Sequence, residues 1–393
     1  MTTSIIKTAS TIYWYKSLFS LSLLGVLSMS ISCSDDAGPS EDDLIAEQLQ
    51  AIIDEKVGAD FEKLVGVSVS IRVNGEERWS LTGGLSRAGE PITPDMTFGL
   101  GSITKTAIAA TILKLEEEGK LNINDPIENY VDFNNPNISG SITIFDLLAH
   151  FSGIDEYLNH PDLWPTAEGN LDAALPTDLL VSFIGEPIFA PGAAYQYTNA
   201  NYLLLSLIIE EVTQQTTGQA MRQRFWEPLG LNTIFFGAHD TYVQPLAGAW
   251  RDSNGDGTLE DITDEYRNAY NSVFYGPAGL FGSASDMSMW ATHLYGGDAL
   301  TQESKDKMLF SYFDIPDPIF VGYGLGVRKN VYAGQTMWGH TGGVRGYGAA
   351  MFYNPFHGVS IAMLNNQSRS EDGPLLRHEL VQELLAVVYA SLQ

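Results

Sequence analysis

Cysteine is nearly absent from this 393-residue sequence: Cys33 stands alone, which excludes an internal disulfide and any metal site built on cysteine. Positive charge is scarce too, with 21 Lys and Arg against 48 Asp and Glu and a formal net charge of -27. A field of that sign repels nucleic acid and anionic lipid, so neither is expected as the main partner. The acidic excess is read as an aid to solubility. No internal repeat is evident, and the apolar stretch Leu18 to Ile31, interrupted by serines, is too short to span a bilayer comfortably. What remains is a globular composition, 44% hydrophobic and 11% aromatic, with length for one large or two interleaved domains.

The N-terminal segment has the shape of a signal peptide: Lys7 and Lys16, then the apolar stretch, then a small residue, Ser32, directly before Cys33. That ending resembles a bacterial lipoprotein signal, although Ser30 stands where such signals usually carry an aliphatic residue. The resemblance implies acylation of Cys33; a plain signal peptide or an uncleaved anchor is the alternative. Residues 34–43 are polar and acidic around Gly38-Pro39 and read as a tether.

Glu41 to Phe61 carries Leu44, Ile45, Leu49, Ile52 and Ile53 at helical spacing. Val67, Val69, Ile71 and Val73 alternate as in a strand, and Asn74-Gly75 turns the chain back into Glu77 to Gly83, a hairpin. Thr106 to Leu115 is almost continuously apolar, the pattern of a helix covered on most sides, and Gly119 suits a left-handed cap. Residues 121–282 are rich in loops, with helices expected at Asn201 to Gln214 and Ser285 to Tyr295. Strands are expected again at Tyr323 to Lys329, Gln335 to His340, Tyr347 to Tyr353 and Val359 to Leu364, with a closing helix from Leu375 to Leu392. The plan is α+β: one antiparallel sheet formed by N- and C-terminal strands, flanked by helices, with a mostly helical region inserted between.

Three stretches carry chemistry. Ser102 and Lys105 lie three apart at the start of the covered helix, so the amine can approach the hydroxyl and help activate it. Taken alone, S-x-x-K is more simply a capping serine followed by a solvated lysine. Tyr197 and Asn199 sit on a loop before a helix, where a phenol and an amide can share a cleft or pack as core. Trp338 to Tyr347 is a strand meeting a glycine-rich bend; the Gly343 N–H is a candidate oxyanion donor beside that of Ser102, and His340 a candidate for orienting a carboxylate or supporting a proton path.

In this order, S-x-x-K on a helix, Y-x-N on a loop and H-x-G on a late strand resemble the serine β-lactamase and penicillin-binding-protein superfamily, in particular its class C and D-alanyl-D-alanine carboxypeptidase-like branch. Ile142 to Ile154 and Gly276 to Met287 resemble further segments of that branch, and the likeness spans about Leu64 to Leu364. The resemblance implies a β-lactamase/transpeptidase-like fold over residues 44–392, with 121–282 as its insertion, after a signal segment (1–32) and tether (33–43). It implies that Ser102 is acylated, that Lys105 and Tyr197 share the base and proton-shuttle work, and that Asn199 binds the substrate amide. His340 takes the place of the lysine in the K-T-G form, Gly342 lets the strand edge meet substrate backbone, and Gly343 donates to the oxyanion. With histidine at 340, efficient β-lactamase activity is not expected, whereas acyl transfer is.

Asp252, Asn254 and Asp256 begin like a calcium loop, but position twelve is Thr263, without the bidentate glutamate. Calcium is thus the one cofactor candidate, beside a polar insertion that binds nothing. The expected protein is an exported, lipid-anchored serine hydrolase of the bacterial envelope acting without cofactor on a small peptide, β-lactam or ester. The rival is a non-catalytic peptidoglycan- or peptide-binding protein that keeps the cleft.

Overall fold

The computed structural model describes residues 40–58, 63–238, 240, 245–263, 268–310, 312–368 and 373–393. Cys33, the signal segment and most of the tether lie outside these residues. Among the described residues no helix is long and apolar enough to cross a membrane.

The hairpin is where its sequence places it, as β1 (Gly66–Val73) and β2 (Glu76–Arg87). Asn74 and Gly75 both have positive φ, 51° and 88°, the conformation that lets a two-residue turn follow the strand twist. Short β3 (Glu90–Pro91) continues the edge, and the C-terminal part of the chain supplies β4 (Phe313–Asp314), β5 (Phe320–Tyr323), β6 (Arg328–Tyr332), β7 (Gln335–Val344), β8 (Tyr347–Asn354) and β9 (Val359–Asn365). They form one antiparallel nine-stranded sheet ordered β3-β2-β1-β9-β8-β7-β6-β5-β4, so that β1 and β9, far apart in sequence, pair inside the sheet.

Both faces of the sheet are covered. Along β8, Ala350 and Phe352 join a core with the helices α1 (Glu41–Lys56) and, at the C-terminus, Gly373–Ser391. Ala349, Met351 and Tyr353 face the larger core built around α2 (Thr104–Glu117). The polar positions of β1 are buried as well: Ser70 and Arg72 lie under the helix Ala284–Ala291 and bond Ser288 Oγ at 2.6 and 3.0 Å. The hydroxyls and the guanidinium therefore satisfy one another inside, which buried polar groups require.

The expected single strand Tyr323 to Lys329 is instead two, β5 and β6, broken at Gly324-Leu325-Gly326. Gly326 has φ 70°, and a Cβ on it would meet Ala109 Cβ at 2.6 Å and the Lys105 carbonyl at 2.9 Å. The chain must turn there because it is pressed against the backbone of α2. Within the inserted region, α3 (Ala200–Thr213) is the long helix, and its strand pieces Phe235–Phe236 and Leu280–Gly282 join Phe98–Gly99, which precedes α2, in a small sheet that the sequence did not suggest. The last helix, Gly373–Ser391, is α4 below.

Candidate active site

Ser102 sits on a 3-10 turn, Gly101–Ile103, and α2 proper begins at Thr104. Gly101 has φ 52°, and a Cβ there would lie 2.5 Å from Gly343 N. Gly342 is equally constrained, since its Cβ would run into the Leu100 carbonyl and sit 3.2 Å from Ser102 N. The two glycine-bearing segments thus press backbone to backbone, which brings the amides of Ser102 and Gly343 to one place. Beyond Gly339, β7 has β8 on one side and no strand on the other, leaving an edge beside Ser102.

Lys105 is fully buried one turn along. Its Nζ lies 3.1 Å from Ser102 Oγ, 2.7 Å from Asn199 Oδ1 and 3.0 Å from the Pro277 carbonyl. Tyr197 Oη is 2.9 Å from the same Ser102 Oγ, and the Lys105 amine lies 4.9 Å from the centre of the Tyr197 ring. Burial lowers the Lys105 pKa below the usual 10.5, against the opposing pull of Tyr197 and Glu156. At the other end of α2, Glu117 and Glu118 reach water but are ion-paired with Lys114 and with Arg224 and Lys120, which relieves their conflict with the helix dipole.

Two contributors escaped the sequence. Glu156 Oε2 accepts the Asn199 backbone N–H at 2.7 Å and its Nδ2 at 3.0 Å, so the amide is held with Oδ1 toward Lys105. Pro277 supplies only a carbonyl, 172 residues from the lysine it meets. Neither has a spacing relative to Ser102 that a sequence could betray.

His340 is elsewhere than expected. It is fully buried behind the strand edge, and Thr341 rather than His340 faces the pocket. A directed chain holds it: Asn201 Nδ2 and the Thr198 N–H donate to His150 Nδ1 at 3.1 and 3.3 Å, so His150 Nε2 carries its proton and donates to Tyr323 Oη at 3.2 Å. Tyr323 then donates to His340 Nε2 at 3.2 Å, and His340 Nδ1–H donates to the Thr341 carbonyl. Burial holds both imidazoles well below the ordinary histidine range and the Tyr323 phenol well above its own, so all three stay neutral.

The Asp252 loop turns its oxygens inward. Asp252 accepts the Gly255 and Gly257 amides at 2.7 and 3.1 Å, Asn254 accepts Asp256 N–H at 2.9 Å, and Asp256 accepts Thr258 N–H at 2.8 Å. Among the described residues no group of three or more His, Cys, Asp or Glu is placed to hold a metal.

Beside Ser102 opens a pocket of about 370 Å³, lined by Tyr197, Arg328, Asn330, Thr341, Gly343 and Arg377 among others. A larger groove of about 930 Å³ around Asp132, Asn135 and Glu210 contains none of the three motifs.

A serine, a buried lysine and a tyrosine converging on one oxygen beside paired backbone amides, on this sheet-and-helix frame, define the class of acyl-transferring serine sites. The family model described as Beta-lactamase matches residues 49–386, and the chain belongs to that family. Among its relatives, PbpX of Bacillus subtilis (strain 168) is 31% identical over 216 residues, 55% of this chain and 50% of its own. The chain thus spans only half of that relative. Teichoic acid D-alanine hydrolase of Staphylococcus aureus is 28% identical over 302 residues, 75% of this chain and 69% of the relative. Among solved structures, a D-stereospecific amidohydrolase from Streptomyces sp. has a TM-score of 0.73 at 25% identity over 88% of this chain and 98% of that one. The D-amino acid amidase from Ochrobactrum anthropi SV3 has a TM-score of 0.78 at 22% identity over 89% and 99%, a likeness of fold.

Proposed function

We propose that this protein is a serine hydrolase that forms an acyl-enzyme at Ser102 on an amide or ester substrate and releases it to water. The observation that carries this reading is the placement of the Lys105 amine and the Tyr197 hydroxyl at 3.1 and 2.9 Å from Ser102 Oγ.

The hydrogen-bond directions supply the mechanism. Asn199 Oδ1 and the Pro277 carbonyl can only accept, so they take two of the lysine's hydrogens. The third contact, to Ser102 Oγ, works in either direction. An ammonium donates to the serine; a neutral amine accepts the serine proton with its lone pair. Burial favours the neutral form. Ser102 Oγ then bonds to the substrate carbonyl carbon as its proton passes to Lys105, and the oxyanion faces the Ser102 and Gly343 amides. As the bond to the leaving group breaks, Tyr197 Oη gives that group a proton and recovers one from Lys105. Water repeats the sequence in reverse to free the acid. Asn199, locked by Glu156, orients the lysine. The D-alanine hydrolase and D-stereospecific amidohydrolase among the relatives support a D-amino acyl ester or amide as substrate. The lipoprotein-like signal ending at Cys33 is the support for an exported, lipid-anchored enzyme of the envelope. No cofactor enters this scheme.

Treatment with a fluorophosphonate and mapping of the adduct by mass spectrometry tests it. Modification of the Ser102 peptide is expected, and a label that persists in Ser102→Ala would sink the reading.

A further inference from the structure

In a chain with 48 acidic and 21 basic residues, the pocket beside Ser102 takes two guanidiniums, Arg328 from β6 and Arg377 from α4. Neither is ion-paired among the described residues, and neither Nε has a hydrogen-bond partner. Arg377 is only 9% exposed. Burying a charge without a partner is costly, and a fold retains such an arrangement where a ligand completes it.

Three further observations point the same way. The sheet is hollowed for the side chain: Gly348 lies against Arg377, and a Cβ there would collide with its Nη1. Burial, joined by the like charge of Arg328 and opposed by Tyr332, pushes the Arg377 pKa down to about 10. Among the described residues the one carboxylate on the pocket lining, Asp317, is exposed, and its Oδ1 accepts the Ile319 and Phe320 amides at 2.8 Å each.

The pocket's place in the reaction follows from Tyr197. That side chain lines the pocket, and Arg328 lies 6.0 Å from the centre of its ring. The group that receives the Tyr197 proton is the one departing, so the leaving group occupies the side that holds the arginines. His340 is buried and cannot serve it.

We propose that this pocket is a subsite for a doubly negative leaving group, a dicarboxylate or a phosphate monoester, with Arg328 and Arg377 each matching one of its charges. Placing the ligand on the leaving-group side rests on the reading of Ser102 as nucleophile; the dianion site itself does not.

Calorimetric titration at fixed ionic strength tests it, with isophthalate and phenyl phosphate as dianions, benzoate as monoanion and benzamide as neutral probe. Both the wild-type protein and Ser102→Ala are expected to bind a dianion about tenfold or more tighter than benzoate. That preference is expected to collapse in Arg328→Gln and Arg377→Gln. The Arg328 variant, altering a half-buried side chain, keeps the test sound should the buried Arg377 variant not fold. Isophthalate against phenyl phosphate tells two carboxylates from one phosphate. Equal affinity for benzoate and both dianions, or a preference that survives both substitutions, overturns the proposal. In parallel, wild-type kcat/KM on acetyl esters of phenol, 3-hydroxybenzoate and 5-hydroxyisophthalate is expected to rise with leaving-group charge. Arginine-dependent dianion binding without hydrolysis of any ester would mean that the serine reading fails while the subsite stands.

Discussion

Two hydrogen-bonded clusters lie back to back behind Ser102, and they are built to opposite ends. Around Lys105, two partners are acceptors and the third is a hydroxyl, so the amine is satisfied with or without its extra proton. Along His150, Tyr323 and His340 every hydrogen has one assignable position, running from Asn201 to the Thr341 carbonyl. The first can move a proton and the second holds its protons still. Since Lys105 and both imidazoles are fully buried, it is the choice of partners and not burial that separates a reacting group from a positioning one.

Substitution of Ser102 breaks the comparison most completely. Ser102→Ala removes the oxygen on which the mobile cluster converges and is expected to lower ester turnover on the order of 10⁴-fold or more, read by steady-state hydrolysis. Lys105→Ala and Tyr197→Phe each lose on the order of 10²–10⁴-fold, and the double variant loses far less than the product, because both serve one path.

Glu156 and Arg328 sharpen the same side by opposite shifts. The lysine must be neutral to accept the serine proton, so activity rises with pH as Lys105 loses its proton. Glu156 raises the Lys105 pKa and Arg328 lowers it. Glu156→Gln therefore moves the alkaline rise of the kcat/KM profile to lower pH, and Arg328→Gln moves it to higher pH. Shifts of the same sign would contradict the assignment.

The static chain gives the smaller effects. Tyr323→Phe leaves the Nε2 atoms of His150 and His340 each without a partner and is expected to cost about 1–3 kcal/mol in denaturant unfolding. The turnover loss stays well below that of Tyr197→Phe. Both imidazoles have folded pKa values far below 6.5, so the unfolded chain binds protons that the folded one does not as pH falls below 6.5. Each then removes up to about 1.4 kcal/mol of stability per pH unit in that window. A variant with neutral amides at 150 and 340 is expected to have a flatter acid limb.

Local spacing made part of this legible and long-range contact the rest. The alternation of Val67, Val69, Ile71 and Val73, the Asn74-Gly75 turn and the apolar face of α2 were readable because period and turn chemistry are local. So was the Ser102–Lys105 pair, although the serine stands on a 3-10 turn before the helix and not on it. Tyr197 and Asn199 needed the resemblance to a family to leave the background of packed aromatics. Glu156, Pro277 and Tyr323 could not be read, since each meets its partner across a fold and not across a spacing. The break between β5 and β6 was missed because Gly324 and Gly326 look tolerable in a strand until the Met308 carbonyl is packed against the first and the Lys105 carbonyl against the second. His340 was placed in the pocket by pattern and removed from it by the strand's alternation, which gives the open face to Thr341.

The central claim is that Lys105 works by losing its proton, and Lys105→Arg tests it. Arginine keeps the charge and the donors but stays protonated. Stopped-flow acylation by an activated ester across pH is predicted to rise with pH in the wild type and to fall to the level of Lys105→Ala in Lys105→Arg. Acylation that is independent of pH, or largely retained with arginine, would contradict the account.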